Sequence, residues 1–126
     1  MPAFNFKAQF VDPIYAGTKN HTIRAERRDG RVPAKVGDRL ALYRGMRTKN
    51  CFLIKRVVCT RVEPISIQEP PYATPFGPFE IRVDEVLLTR DEKERLAYAD
   101  GFDSHDRMMA FWEGRLPFKG YIIHWK

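Results

Sequence analysis

Lys19, Thr22 and Arg24 fall within six residues of one another in the stretch YAGTKNHTIRAERRDG, positions 15–30 of a 126-residue chain. A threonine hydroxyl becomes a nucleophile only when a neighbouring base takes its proton, and a lysine can be that base if its ammonium form is destabilised. Arg24 and Arg28 would push Lys19 in that direction, as would burial. The same residues have a plainer use, with Lys19 and Arg24 as phosphate ligands and Thr22 as an ordinary strand threonine. Lys19 and Thr22 stand where a turn gives way to a strand, so both side chains can converge on one pocket although strict alternation would separate them. Asp100, in ADGFDS, is the acid candidate. It sits in the last turn of an expected helix, where a carboxylate opposes the helix dipole by roughly 0.3–1 kcal/mol. It either faces Lys19 or a ligand, or helps to cap the following turn. His21 is a proton shuttle beside Thr22 or, the preferred reading, a surface residue on the opposite strand face.

The elements that must hold these residues follow from periodicity. Phe4 and Phe6 alternate with polar neighbours as a first short strand. FVDPIYAG is a short helix around Pro13, stopped by Gly17. Thr22 to Ala25 begins a strand, RRDGRVPAKVGD is a turn-rich connection, and RLALYR alternates cleanly as the next strand. GMRTKN is a basic hairpin tip leading into CFLIKRVVCTRVEPI, whose β-branched content predicts a long strand. QEPPYATPFGP, with four prolines and a glycine, is a loop. FEIRVDEVLL alternates as one half-buried strand. Thr89 and Glu92 form a capping box for a helix over Arg90–Asp100 that ends at Gly101. Asp103 or Ser104 caps a second helix whose core stripe is Met108, Phe111 and Trp112 and which ends at Gly114. GYIIHW is the last strand. Strands joined mostly by hairpin-length turns and interrupted by short helices predict an α+β fold, a small mixed β-barrel with the helices packed on its outside.

Length predicts one domain, 1–126, with 44% hydrophobic and 13% aromatic residues to build its core. No apolar stretch reaches the ~20 residues of a membrane helix, and MPAFNFKAQFVDP lacks the layout of a secretory signal. Cys51 and Cys59 match neither a zinc nor a redox spacing, and no spacing of His21, His105 or His124 makes a metal site. A cytoplasmic protein with reduced cysteines, no metal and no cofactor is expected. The net charge of +6 is unevenly spread: residues 1–63 carry 14 Lys/Arg against 5 Asp/Glu, residues 64–126 carry 8 against 11. From Arg39 to Val62 there are seven basic residues and no acid. An anionic partner is expected, nucleic acid first, with Arg47 and Lys49 at the hairpin tip as contacts. Tyr72, Phe76 and Phe79, in or beside the proline-rich loop, either stack on a base or pack that loop onto the body of the fold.

IYAGTKNHTIR, KVGDRLALY and ADGFDSHDRMMAFW, in that order, resemble the ASCH domain of the PUA-like superfamily. The shared pattern is a short helix ending in Gly, a Lys-x-x-Thr-x-Arg run, a Gly-Asp before a strand, and an acidic-Gly-Phe segment before a helix. The resemblance implies a small PUA-like β-barrel with a cleft over Lys19, Thr22 and Arg24, and an RNA- or nucleoside-related role. One branch of that family consists of small bacterial amidohydrolases that deacetylate N4-acetylcytidine with a Lys, a Thr and a Glu. Lys19 and Thr22 match the first two, and the acid falls on Asp100, a shorter side chain. Asn20 and His21 stand where that branch has Thr and Ile. Other members have been linked to RNA binding or RNA cleavage. Two functions therefore compete for one pocket: an amidohydrolase with Thr22 attacking, Lys19 as base and Arg24 steadying the oxyanion, or a non-catalytic RNA-binding module.

Overall fold

The computed structural model describes residues 2–70 and 79–126. Its seven strands belong to one sheet accompanied by three short α-helices. Strand β1 (Ala3–Phe6) lies parallel to β3 (Arg39–Arg44), and β3 runs antiparallel to the first part of β4 (Phe52–Gln68). At 17 residues β4 is the spine of the fold. Its second part pairs with β7 (Phe118–Trp125) along one side and with β5 (Glu80–Val83) along the other. Strand β2 (His21–Ala25) is added to the outer side of β7, and β6 (Val86–Leu87) to β5.

This topology corrects the barrel expectation in one respect. Strands β1 and β2 are not paired with each other, so the sheet is not closed into a barrel. Among the described residues, one hydrogen bond crosses between them, from Arg24 Nη2 to the Asn5 carbonyl at 2.8 Å. The α+β class stands, and the buried apolar side chains form one cluster reaching from Phe4 and Phe6 to Trp125.

FEIRVDEVLL is a hairpin, not one strand. Asp84 and Glu85 both take positive φ, 50° and 68°, the conformation a two-residue hairpin turn demands. Their alternation with apolar neighbours looks the same in a continuous strand, which is why the turn is silent in the pattern. The short helix α1 (Val11–Ala16) ends at Gly17 in the left-handed region. Helix α2 (Arg90–Ala99) carries the full Thr89/Glu92 capping box, with Asp100 as its C-cap. Ser104, not Asp103, caps α3 (His105–Trp112) by accepting from the Arg107 N–H. Met108 and Trp112 are buried as expected, while Phe111 is only partly so. No helix among the described residues is long and apolar enough to cross a membrane. Tyr72, Phe76 and most of the proline-rich loop lie outside the described residues, so their stacking role is left as an expectation.

At Gly120 the backbones of β7 and β2 are in close contact. A Cβ there would run into the Arg24 carbonyl oxygen and the Ala25 Cα of the facing strand. Gly120→Ala should therefore push β2 off the sheet, with an expected loss of about 1–3 kcal/mol in chemical denaturation, the usual size of an overpacking penalty. A variant as stable as wild type would show that β2 is not held at this spacing.

Candidate functional site

The gap between β1 and β2 is a cleft. Asn5, Phe6 and Lys7 form one bank, Thr22, Ile23 and Arg24 the other, and Lys19 and Asp100 lie at one end. Phe10, Phe102 and Phe111 supply aromatic wall, and the cavity holds about 240 Å³. The short helix α1 and its Gly17 stop deliver Lys19 to this place just before β2 starts, and the end of α2 delivers Asp100 from the far side.

Lys19 is 2% exposed and Asp100 7%. The ammonium donates to Asp100 Oδ1 and to the Asp100 backbone carbonyl, each at 2.7 Å. It also lies 4.9 Å from the centre of the Phe10 ring and 5.8 Å from that of Phe6, so part of its lost hydration is replaced by ring faces. Gly101 makes this approach possible: its φ is +96°, and a Cβ would sit 2.9 Å from Phe10 Cδ1 and 3.3 Å from Lys19 Cδ. Asp100 is thus the partner of Lys19, and its odd position at the helix C-terminus has that explanation. Its backbone carbonyl, a negative helix end, joins the carboxylate in receiving the ammonium.

Burial lowers the Lys19 pKa below the ordinary lysine value, against the charge and hydrogen bond of Asp100, and Arg24 adds to the lowering. For Asp100, burial alone would raise the carboxyl, but the His21 ring nitrogen and the Lys19 ammonium outweigh it and hold the group below its ordinary value. Asp100 is therefore ionised at neutral pH, and Lys19 is a lysine made easier to deprotonate than one in water.

Thr22 is buried and its Oγ1 accepts from Arg24 Nε at 3.1 Å. Arg24 stacks over Phe4 and Phe6, with its guanidinium carbon 5.0 and 4.9 Å from the ring centres. Burial lowers the Arg24 pKa and Asp100 raises it, but a guanidinium keeps its proton in either case. His21 is a correction: it is buried, not a surface residue. Its Nε2 lies 3.2 Å from Asp100 Oδ1. Its ring meets His124 edge-on at 5.4 Å, and His124 in turn contacts Glu63 Oε1 at 2.6 Å. Asp100 at the end of α2 and the His124 ring both lie against the His21 side chain, so alternation could not expose it.

Arg28, Arg47 and Lys49 do not reach the cleft. Arg28 is exposed in the turn after β2, and the other two are exposed at the hairpin tip between β3 and β4. The residues that pattern reasoning missed are Asn5, Lys7, Phe10, Phe102 and Phe111. Asn5 matters most, because its side chain accepts from the Met46 N–H of the hairpin while its carbonyl accepts from Arg24. No group of three or more His, Cys, Asp or Glu that could hold a metal ion occurs among the described residues. No family model, curated protein or solved structure matches this chain.

The buried pair has a measurable signature. Because the folded Asp100 carboxyl is held below its unfolded value, its contribution to stability is complete above the unfolded pKa and disappears as pH falls through the folded one. Asp100→Asn should remove that acid-side dependence. At neutral pH it should cost about 3–5 kcal/mol by leaving a buried ammonium unpaired, and Lys19→Met should cost a similar amount. The double variant Lys19→Met/Asp100→Leu should recover most of the loss. Denaturant titrations from acid to neutral pH decide it, and two harmless single variants would show that the pair is not dry.

Proposed function

We propose that this cleft receives the base of a modified cytidine, free or within an RNA strand, in the manner of the ASCH-like pocket that the Lys-x-x-Thr-x-Arg run resembles. The observation that carries the reading is the convergence of Lys19, Thr22, Arg24 and Asp100 in one aromatic-walled cavity of about 240 Å³. That volume is below the ~300–1,000 Å³ of pockets for drug-sized ligands, and it suits a flat heterocycle with its sugar outside. A second concavity supports a phosphate-bearing ligand. It shares Asn5, Phe6 and Lys7 with the cleft and continues to Arg44, Thr48 and Asn50 at the base of the hairpin, with no acid in its lining. A base in the cleft would place its backbone over this groove.

Hydrolysis of an N4-acyl group is the second reading, and it is favoured by the state of Lys19 and Thr22. Thr22 Oγ1 uses one of its two lone pairs on Arg24, which leaves the other for attack and its own proton to be given away. In this reaction Oγ1 forms a bond to the acyl carbon while its proton passes to neutral Lys19, and Arg24 faces the oxygen that becomes anionic. The carbon–nitrogen bond then breaks, Lys19 returns the proton to the leaving amine, and water hydrolyses the threonine ester. Lys19 must leave part of its contact with Asp100 to do this, so ligand binding has to loosen the pair. Pure recognition needs no such rearrangement.

Incubation with N4-acetylcytidine, followed by chromatography for released acetate, separates the two. If the chain is an enzyme, Thr22→Val abolishes release with binding unchanged within about threefold, and Lys19→Arg lowers release roughly 10²–10⁴-fold, since arginine cannot act as the base. If it only binds, Thr22→Val is nearly silent, whereas Lys19→Ala and Arg24→Ala weaken binding. In both cases a cytidine monophosphate should bind more tightly than the nucleoside, and added salt should erase the difference. Lys7→Gln and Arg44→Gln should erase it too. A protein that neither binds nor hydrolyses any cytidine derivative contradicts both readings.

A further inference from the structure

The cleft has a main-chain wall. Just outside β2, the Asn20 carbonyl accepts from the Trp125 N–H at 2.9 Å and the Glu26 N–H donates to the Lys119 carbonyl at 3.2 Å. In an antiparallel ladder the residues that exchange hydrogen bonds recur at every second position. The β2–β7 register runs unshifted from His21↔His124 to Ala25↔Gly120. Thr22 and Arg24 are therefore bonded to β7, and Ile23 turns its N–H and C=O the other way. On that side is the border of β1, to which β2 is not paired. Ile23 also lines the cleft together with Thr22 and Arg24. Successive side chains of a strand point to opposite faces, so a residue between two cleft-facing side chains meets the cavity through its backbone.

We propose that the Ile23 N–H and C=O are the base-reading element of this site. The N–H donates to the ring N3 of a cytosine-type base and the C=O accepts from its exocyclic N4–H, so the N4 substituent extends on the Arg24 side of Ile23 and the O2 edge on the Thr22 side. The inference rests on the nucleoside reading above and names the specificity element within it. A heterocycle fits better than an added peptide strand. The Arg24 guanidinium already crosses the seam to the Asn5 carbonyl, so a strand could not run along it, whereas one donor and one acceptor suffice for a base edge. A main-chain reader also explains how a site could tell cytosine from uracil and guanine, whose edges carry the reverse donor and acceptor order, with Lys19, Thr22, Arg24 and Asp100 already committed to one another.

Amide hydrogen exchange by NMR on the unliganded protein is the first arm of the test. The Ile23 amide should exchange much faster than those of Thr22 and Arg24, and N4-acetylcytidine should slow it. An Ile23 amide already as protected as its neighbours overturns the proposal. Slow exchange at Ile23 and Ala25 that grows with protein concentration would overturn it too, by marking a strand edge that pairs with a second chain. The second arm compares N4-acetylcytidine with its 3-deaza analogue, on wild type and on protein in which Ile23 is replaced by the corresponding α-hydroxy acid, so that an ester oxygen stands in place of the N–H. Loss of either partner should weaken binding roughly three- to tenfold, the size of one hydrogen bond, and loss of both no more than loss of one. Penalties that multiply show that the two atoms do not meet. A wild type that binds no cytidine derivative removes the nucleoside reading and this inference together. A wild type that binds, with multiplying penalties, removes this inference alone.

Discussion

An ammonium and a carboxylate withdrawn together from water constrain everything around them. Dehydrating either ion costs several kcal/mol, and the pair recovers that only when its geometry is good and its remaining donors and acceptors are satisfied. Lys19 and Asp100 meet these terms with two 2.7 Å hydrogen bonds, two aromatic faces and the negative end of α2. Those supports come from three parts of the chain. Phe6 ends β1, Phe10 leads into α1, and Asp100 ends α2. Moving any of them strands a charge, so the pair fixes the positions of three elements that the sheet itself does not join.

The seam between β1 and β2 follows from the same arrangement. Two strand borders left unpaired would normally invite closure or association with another edge. Here Arg24 spans the gap with its guanidinium and packs on Phe4 and Phe6, so the borders are held near each other without a ladder. The opening that results is lined by side chains on one hand and by unbonded main chain on the other. A pocket at the place where a sheet fails to close needs no extra loop, and it puts the nucleophile candidate, the cation and the backbone donor on consecutive residues.

Much of this was legible in the chain. The glycine stop of α1, the Thr89/Glu92 box, the Ser104 cap and the strand over RLALYR each follow from local chemistry that tertiary contacts did not override, although Leu40, Ala41 and Leu42 are all buried and the strict alternation of that strand does not hold. Asp100 could be singled out because a carboxylate at a helix C-terminus is unfavourable unless something else claims it. His21 was misjudged because alternation predicts which face a side chain takes, not whether that face is covered. The turn at Asp84 and Glu85 was invisible for want of Gly or Asn, the residues that usually announce positive φ. The β1 bank of the cleft was beyond reach for a different reason. Asn5 and Lys7 acquire a role only through the parallel pairing of β1 with β3, a contact some 38 residues distant in the chain.

Chemical-shift mapping in a titration of the protein with N4-acetylcytidine tests the central claim most directly, because it locates a ligand without assuming any activity. The account predicts saturable shifts of the backbone amides at Asn5–Lys7, Lys19–Arg24 and Asp100–Phe102, with the Lys19 ammonium resonance moving as its contact with Asp100 is altered. Shifts centred instead on the separate groove of Pro64–Ser66 and Lys119–Tyr121, or none at saturating nucleoside, would contradict it.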